Sequence, residues 1–334
     1  MLDDRKAAVL RAVVEEYIAT AQPVGSAHLQ RSARVSVSSA TIRNDMAALE
    51  REGFLSHPHT SAGRVPTDKG YRFFVDALTD PNLNRPEQQR VSEFFARTHV
   101  ALEQMLSDTS QLLATLTNYA AVIVSPGADT AHVRSVHLVD MSAHEGLAVV
   151  VLSNQIVEKT TFDTPEGAAA EDLVVAANAL NAHLIGKPPR FDGKVATGSR
   201  RADAVVEAVK EAFKRRETAA ATSDHVFVGG AARVADAFEA VDTVRRVLGV
   251  LEHQYVVVSL LRDVLDTGRS VAIGAEHGVV PLAECAVVVA PITVGGQPVG
   301  TVGVLGPTRM NYPHALAAVT AVSRRLGENL GEHE

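Results

Sequence analysis

Cysteine, tryptophan and aromatic residues in general are scarce in this sequence. Its 334 residues include one cysteine, Cys285, and no tryptophan, and aromatic residues make up 4% of the chain. A single cysteine excludes an intramolecular disulfide and a cysteine-rich zinc site. The chain also lacks an apolar run long enough to cross a bilayer, and its charged start from Leu2 to Lys6 does not fit a secretory leader. We therefore expect a cytoplasmic protein with no membrane partner.

Residue patterns that support enzyme chemistry are missing as well. The glycines between Gly295 and Gly306 lack the Lys-Ser/Thr ending of a phosphate loop, and residues 226–231 lack a full G-x-G-x-x-G pattern. His57 and His59 lie close together, but no cysteine or third ligand is nearby. We expect no catalytic, cofactor-binding or metal-binding residues and no cofactor. The chain is not predicted to be an enzyme, although a nucleotide-using protein with an accessory DNA module stays open as an alternative.

The charge of the chain is unevenly distributed. The net charge is −7, but residues 1–75 hold ten Lys/Arg and eight Asp/Glu, which leaves −9 for the remainder. A locally basic module on an acidic body is typical of proteins that meet phosphates with one part of their surface. The length and the 46% hydrophobic content predict two or three domains with apolar cores.

The stretch from Val35 to Tyr71 has the strongest local pattern. Ser38 and Ser39 are suited to cap a helix, and Ile42, Met46 and Leu49 follow at helical spacing. Gly53 is placed to end this helix in a left-handed conformation. Residues 54–57 and 64–66 then read as short extended runs joined by a Pro/Gly/Ser-rich tip.

Two helices are predicted before this stretch, over Asp3–Thr20 and Ala27–Arg31. Three helices in about fifty residues, followed by a ribbon, is the order of a winged helix-turn-helix. An ordinary amphipathic helix with a surface hairpin is the simpler alternative for the third helix alone. In the winged-helix interpretation, the third helix enters the major groove, with Arg43 and Asn44 best suited to base edges. The predicted DNA-binding residues are Ser38, Ser39, Thr41, Arg43 and Asn44 on the helix and His59, Thr60, Ser61 and Arg64 in the wing.

The remainder of the chain mixes strand and helix patterns. A polar, proline-bearing linker covers residues 79–86, and Glu87–Leu116 reads as a long helix or a helix pair. Strands are predicted at 121–124, 133–139, 147–152, 155–162, 225–230, 269–274, 286–294 and 299–305. Helices are predicted at 165–185, 202–216, 232–240, 241–251 and 312–330, and the apolar stretch Val256–Leu261 is counted among the β-rich segments.

Several strings resemble the heat-inducible transcription repressor HrcA family. They are PVGS at Pro23–Ser26, SSATIRNDMAALE at Ser38–Glu50, PHTSAGRVPTDKGYRFFVD at Pro58–Asp76, IGAEH at Ile273–His277 and GTVGVLGPTRMNY at Gly300–Tyr312. These motifs lie at both ends of the chain. The resemblance implies an α+β multidomain fold, with an N-terminal winged helix-turn-helix and a GAF-like α+β domain interrupted by an inserted dimerising domain.

The resemblance also implies domain limits and partners. We place the winged-helix domain at 1–80, a linker with the first GAF-like part at 81–163, the inserted domain at 164–240 and the second GAF-like part at 241–334. The implied protein is a homodimeric repressor of heat-shock chaperone genes that binds double-stranded operator DNA, an inverted repeat, and is kept active by the GroEL chaperonin. A ligand-sensing GAF-type transcriptional regulator is the alternative. The Gly306–Tyr312 turn is expected to cap the last helix, the alternative being a contact surface with Arg309 and Tyr312 as exposed anchors.

Overall fold

The computed structural model describes residues 2–31, 37–58, 63–79, 81–96, 102–124, 132–142, 144–153, 157–191, 193–219 (without the side chains of 216–219), 226–238 and 240–331. The fold is a mixture of helices and antiparallel sheets. The N-terminal region contains α1 (Asp4–Thr20), α2 (Ser26–Arg31), α3 (Ser39–Arg51), β1 (Leu55–Ser56), β2 (Val65–Pro66) and α4 (Asp68–Asp76). The order from α1 to β2, three helices followed by a ribbon, is the one that the sequence predicts. We call this N-terminal region, up to residue 79, the head.

Side-chain caps fix the helix ends of the head. The Asp3 carboxylate accepts the backbone N–H of Lys6 at 2.8 Å, and the Thr67 hydroxyl oxygen accepts that of Gly70 at 3.2 Å. These acceptors satisfy backbone donors that have no partner within the first helical turn. Gly53 follows α3 with φ +79°, the left-handed conformation predicted for it.

Two helices connect the head to the first large sheet. They are α5 (Arg85–Phe95) and α6 (Leu102–Thr117), which is the second of the two alternatives, one long helix or a pair, predicted over Glu87–Leu116. The Asn84 side chain caps α5, and the Glu87 side chain in return accepts the Asn84 N–H at 3.3 Å. The polar linker therefore ends in a defined helix start.

A five-stranded antiparallel sheet forms the centre of the molecule, in the order β7-β3-β10-β9-β8. Its strands are β3 (Ala120–Val124), β7 (Val226–Gly229), β8 (Val271–Ile273), β9 (Cys285–Val294) and β10 (Gln297–Pro307). The glycines at 295 and 296 turn β9 into β10 with positive φ values, as the hairpin prediction requires. We call the domain built around this sheet the sheet domain.

Helices cover both faces of the five-stranded sheet. On one face, Ala121 and Ile123 of β3 share a core with the head and with α12 (Tyr312–Gly331). On the other face, Ala120 and Val122 pack in a core with α10 (Val241–Glu252) and α11 (Gln254–Asp266). The short helix α9 (Arg233–Ala237) follows β7. The interpretation of Val256–Leu261 as β-rich is wrong, because these residues lie within α11.

A second unit has its own core. Its strands β4 (Val133–Ser142), β5 (Glu145–Leu152) and β6 (Val157–Asp163) form a three-stranded antiparallel sheet, and α7 (Ala170–Leu184) and α8 (Arg200–Ala219) pack on one side of it. We call this the inserted unit. It lies between β3 and β7, which are paired neighbours in the central sheet with Ala121 opposite Gly229.

The predicted insertion limits of 164 and 240 are therefore wrong at both ends. Strands β4–β6, assigned to the GAF-like part, belong to the inserted unit, whereas β7, assigned to the insertion, belongs to the central sheet. The physical reason is that an alternating or apolar strand pattern is the same in either sheet. Only the pairing partner distinguishes them, and that partner is distant in sequence.

Candidate nucleic-acid interface

The third helix has two chemically different sides. Its buried stripe consists of Ile42, Asp45, Met46 and Leu49. The opposite side carries Ala40, Arg43, Asn44, Ala47 and Arg51, at the i, i+3, i+4, i+7 and i+11 spacing of one helix face. Arg43 and Asn44 are exposed, with small alanines above and below them. This arrangement lets the helix approach a flat or grooved surface while two hydrogen-bonding side chains reach out from it.

The serines and the threonine at the start of α3 have structural roles. The Ser38 oxygen accepts the Thr41 N–H at 3.2 Å and lies 2.9 Å from the Thr41 hydroxyl. The Ser39 hydroxyl lies 3.1 Å from that of Ser26, the first residue of α2. These contacts cap α3 and connect the two helices. Ser38 is exposed, whereas Ser39 and Thr41 are half-buried.

An ion pair that sequence reasoning missed holds α3 against α1. The Arg5 guanidinium donates two hydrogen bonds to the Asp45 carboxylate, at 2.8 and 3.1 Å. The Asp45 side chain is only 6% exposed. An acidic residue within the apolar stripe of α3 was the available signal, because a buried carboxylate needs a cationic partner. The pair, together with the buried apolar side chains of α3, holds this helix with Arg43 and Asn44 facing outward.

The ribbon after α3 is anchored by a third short segment. Val24 and Arg64 exchange two backbone hydrogen bonds, both of 2.9 Å, and so extend the β1–β2 ribbon. Gly63 runs so close to this segment that a Cβ atom there would overlap the Val24 backbone. The base of the predicted wing is therefore fixed to the connection between α1 and α2.

The structure describes one of the four predicted wing residues. His59, Thr60 and Ser61 lie outside the described residues. Arg64 is half-buried, and its Nε and Nη2 atoms lie 2.9 and 2.8 Å from the Glu50 carboxylate of α3. The role of Arg64 as a wing contact stays a prediction.

The turn before α12 has the structural role that the sequence favours. The Asn311 side-chain oxygen accepts the His314 N–H at 3.2 Å and so caps the helix. Tyr312 is fully buried, and its hydroxyl donates to the Thr308 carbonyl oxygen. The alternative in which Tyr312 is an exposed anchor is therefore wrong, because its ring lies inside the core shared with the head.

Metal-ligating clusters and membrane-spanning helices are both missing from the part of the chain that the structure describes. There, no group of three or more His, Cys, Asp or Glu side chains is placed to hold a metal ion. No helix within those same ranges is long and apolar enough to cross a membrane.

Comparisons with known proteins agree over nearly the whole chain. A family model described as "HrcA protein C terminal domain" matches residues 103–316. The heat-inducible transcription repressor HrcA of Acidothermus cellulolyticus is 39% identical, with 100% of both chains covered. The chain belongs to the HrcA family. The HrcA repressor of Pelotomaculum thermopropionicum is 35% identical, with 98% of this chain and 97% of the relative covered.

One solved structure has the same overall fold. It is described as a hypothetical protein, is 26% identical and covers 100% of both chains with a TM-score of 0.65. Membership of the HrcA family, whose relatives carry the name of heat-inducible transcription repressors, also agrees with the expectation that the chain is not an enzyme.

Proposed function

We propose that this HrcA family member represses heat-shock chaperone genes by binding an inverted-repeat operator as a homodimer in the cytoplasm. Family membership makes it a transcription repressor of the heat-stress response. The observation that carries the DNA-binding part is the exposed α3 face, where Arg43 and Asn44 stand between small residues. In this proposal the head is a winged helix-turn-helix, and the central sheet with its helices is the GAF-like domain.

Base reading follows from the chemistry of this face. Arg suits the two acceptors of guanine in the major groove, and Asn suits the donor and acceptor of adenine. Ser38 and Thr41 at the start of α3, together with Ser39, His59, Thr60, Ser61 and Arg64, complete the proposed contacts to DNA. Footprinting of the purified protein on the DNA upstream of its own gene tests this proposal. Protection of two symmetric half-sites supports it, and no protected region contradicts it.

Dimerisation is proposed to use the open face of the three-stranded sheet. Residues of β5 alternate, so that Ala148 and Val150 are buried under α7 and α8 while Leu147, Val149 and Val151 point to the other side. Across the neighbouring strands, Val139 is opposite Leu147, and Val157 is opposite Val151. Val139 is 47% exposed and Val157 39% exposed. A second copy of this chain would bury this apolar face, and two heads are what a two-fold operator needs.

The dimer proposal is tested by single substitutions on this face. Val149→Asp and Val157→Asp should sediment as monomers and lose most of their operator affinity. Val280→Asp is the matched control, because Val280 is 85% exposed but lies outside the inserted unit. Dimers in both interface variants would exclude this face as the interface.

Dependence on the GroEL chaperonin is proposed from the connectivity of the central sheet. Strand β3 pairs with β7 on one side and with β10 on the other, so that Ala120 lies opposite Leu305. Pairing between segments so far apart in sequence is slow and leaves apolar strands exposed while it is incomplete. Free chaperonin would therefore keep the repressor folded. When heat-unfolded proteins occupy the chaperonin, active repressor would decrease and the chaperone genes would be transcribed.

Refolding decides this part of the proposal. The denatured protein is diluted at a fixed temperature, and operator binding is followed with and without chaperonin and ATP. The proposal expects incomplete or slow recovery without chaperonin. Complete and equally fast recovery without it would contradict the feedback loop and favour direct thermal inactivation.

A ligand-sensing regulator is the second candidate, and one cavity favours it. The cavity holds about 820 Å³ between the head, α5, α12 and the start of β8. Arg72, Arg269, Arg324 and Arg325 line it together with apolar residues that include Val91 and Leu316. Arginines around an apolar floor suit an anionic metabolite with an apolar body. Calorimetry with a panel of phosphorylated and carboxylated metabolites tests this candidate, and heat of binding that disappears in Arg324→Ala would support it.

A further inference from the structure

The helix after the wing, α4, is attached to the end of the recognition helix α3. The Lys69 ammonium donates to the Glu52 carbonyl oxygen at 2.8 Å, and the Thr67 hydroxyl donates to the Gly53 carbonyl oxygen at 2.7 Å. Gly70 allows a close approach, because a Cβ atom at that position would overlap the Phe54 carbonyl oxygen. The start of α4 is therefore bonded directly to the end of α3.

The opposite side of α4 is attached to the sheet domain. The Arg72 Nε atom donates to Glu276 Oε1 at 2.9 Å, and Nη2 donates to Glu276 Oε2 and, at 2.8 Å, to the Val271 carbonyl oxygen. The Arg72 side chain is 18% exposed and that of Glu276 25% exposed. Two guanidinium atoms on one carboxylate specify an angle as well as a distance.

Glu276 is itself held in place. Its Oε2 atom accepts the Ile273 N–H at 2.9 Å. Partial burial alone would raise the pKa of Glu276, but the hydrogen bonds from Arg72 and Ile273 outweigh it and lower the pKa below its ordinary value. Gly274, on the same turn, has φ +55° and lies so close to the Asp68 carboxylate of α4 that a Cβ atom would overlap it.

A buried aromatic pair completes the contact between α4 of the head and the sheet domain. We call this contact, made by Asp68, Tyr71 and Arg72 on one side and Gly274, Glu276 and Tyr312 on the other, the joint. The centroid of the Tyr71 ring of α4 lies 5.8 Å from the centroid of the Tyr312 ring at the start of α12, and both side chains are buried. The IGAEH and GPTRMNY strings are separate in sequence, and both contact the same helix of the head. Both C-terminal motifs therefore contribute to the attachment of the head to the sheet domain.

We propose that Arg72 and Glu276 fix the angle of the head on the sheet domain and thereby set the half-site spacing that the dimer accepts. The inference rests on the proposed function, because spacing matters only if two heads bind one operator. The contacts from α3 to the sheet domain are continuous: α3 is attached to α4 through Lys69 and Thr67, and α4 is attached to the sheet domain through Arg72. In a dimer whose heads are held at a fixed angle, the two recognition helices lie a fixed distance apart, which must match the helical repeat of DNA.

The test measures binding of the full-length protein to a series of operators. Each operator contains the two half-sites found by footprinting, with base pairs added to or removed from the spacer, and a single half-site is included. Wild-type protein should prefer one spacer. In Arg72→Ala and Glu276→Gln, affinity for that spacer should fall roughly threefold to thirtyfold while single-half-site affinity stays unchanged. The preference among spacers should become flatter in both variants.

Control variants distinguish an effect on the contact between the head and the sheet domain from a general loss of stability. Arg246→Ala removes an Arg–Glu pair of 3.1 Å with Glu284 inside the sheet domain, away from the head, and should keep the spacer preference. The charge-swapped double variant Arg72→Glu with Glu276→Arg should regain part of the preference that each single variant loses. Thermal unfolding confirms that every variant is folded.

The outcomes are distinguishable. A sharp preference retained in both Arg72→Ala and Glu276→Gln overturns this inference and leaves the proposed function standing. A wild-type protein that binds every spacer equally also overturns it. A wild-type protein that protects no inverted repeat at all overturns the proposed function, and the inference with it.

Discussion

The carboxylate of Asp45 accepts two hydrogen bonds from the Arg5 guanidinium on the buried side of the helix whose exposed side carries Arg43 and Asn44. One side of α3 is thus used for attachment and the other is left for a partner. The proposed reading face is therefore supported by an ion pair on the opposite side of the same helix.

Arg5→Ala should lower the midpoint of thermal unfolding and reduce operator affinity, because it leaves the buried Asp45 carboxylate without its cation. Lys6→Ala is the neighbouring control. It removes a pair with Glu52 in which the lysine side chain is 25% exposed and the carboxylate 44% exposed, and such surface pairs contribute little. Equal loss of affinity in the two variants would show that Asp45 does not set the rotation of α3.

Arg43→Ala should weaken binding to the specific operator by about 1–3 kcal/mol and relax the preference at one position of each half-site. Quantitative binding to the operator and to single-base variants of it measures both effects. Arg11→Ala, at an exposed arginine of α1, should leave base preference unchanged. An equal reduction on operator and random DNA in Arg43→Ala would make Arg43 a phosphate contact.

Arg64→Ala should weaken binding evenly across sequences and lower the salt slope by about one for each phosphate that the arginine no longer neutralises. The reason is that Arg64 lies at the base of the proposed wing, where a guanidinium would neutralise phosphates rather than read base edges. Glu50→Gln keeps the arginine and removes its anionic partner, so its salt slope should not fall. An unchanged slope in Arg64→Ala would remove Arg64 from the interface.

Gly274→Ala and Gly278→Ala form a matched pair for the joint. Both glycines have positive φ, +55° and +71°, so both substitutions should cost about 1–2 kcal/mol of stability. Only the alanine at 274 overlaps Asp68 of the head, whereas nothing lies within 4 Å of a Cβ atom at 278. Operator affinity, measured well below the unfolding temperature, should fall in Gly274→Ala alone. A similar decrease in Gly278→Ala would point to general destabilisation.

The free energy of unfolding should decrease as the pH falls below 6.5, in part because of His277. Burial lowers the pKa of His277 below its ordinary value of 6.5. The ring is held neutral, since Nδ1 accepts the Val279 N–H at 3.3 Å and Nε2 faces the Leu282 carbonyl oxygen at 3.0 Å. The unfolded chain takes up a proton that the folded ring resists, so stability present above pH 6.5 is lost as the pH falls towards the folded pKa.

The variant His277→Gln tests this pH dependence. Denaturant unfolding of wild type and variant is compared at several pH values between about 5 and 8, the range in which histidine titrates. The variant should be less stable at neutral pH, and its stability should decrease less steeply on acidification. A wild-type slope that is unchanged in the variant would contradict the assignment.

Local features of the fold were predictable from the sequence because they depend on neighbours. The N-cap at Ser38, the left-handed Gly53 and the β9–β10 hairpin at Gly295 each follow from a few adjacent residues. The exposed positions of Arg43 and Asn44 follow from helical periodicity alone. Features that depend on residues close together in the sequence can therefore be predicted from the sequence alone.

Features that depend on distant partners were not predictable in the same way. The buried Asp45 needed Arg5, and the Arg72–Glu276 pair joins residues from opposite ends of the chain. The same limit misplaced the insertion, since β7 can be recognised as a strand but not as the partner of β3. Val256–Leu261 was misread because a short apolar run fits a buried strand and a buried helix equally well.

The position of β3 between β7 and β10 also has a consequence for synthesis on the ribosome. Its partner on one side, β10, ends at Pro307 and is made only after the whole inserted unit has emerged. At the usual rate of elongation, β3 waits on the order of ten seconds or more outside the exit tunnel before that edge can be covered. Every newly made molecule therefore passes through a stage in which an apolar strand is open to whatever binds nascent chains, and the supply of such binders in the cell affects how much repressor is completed.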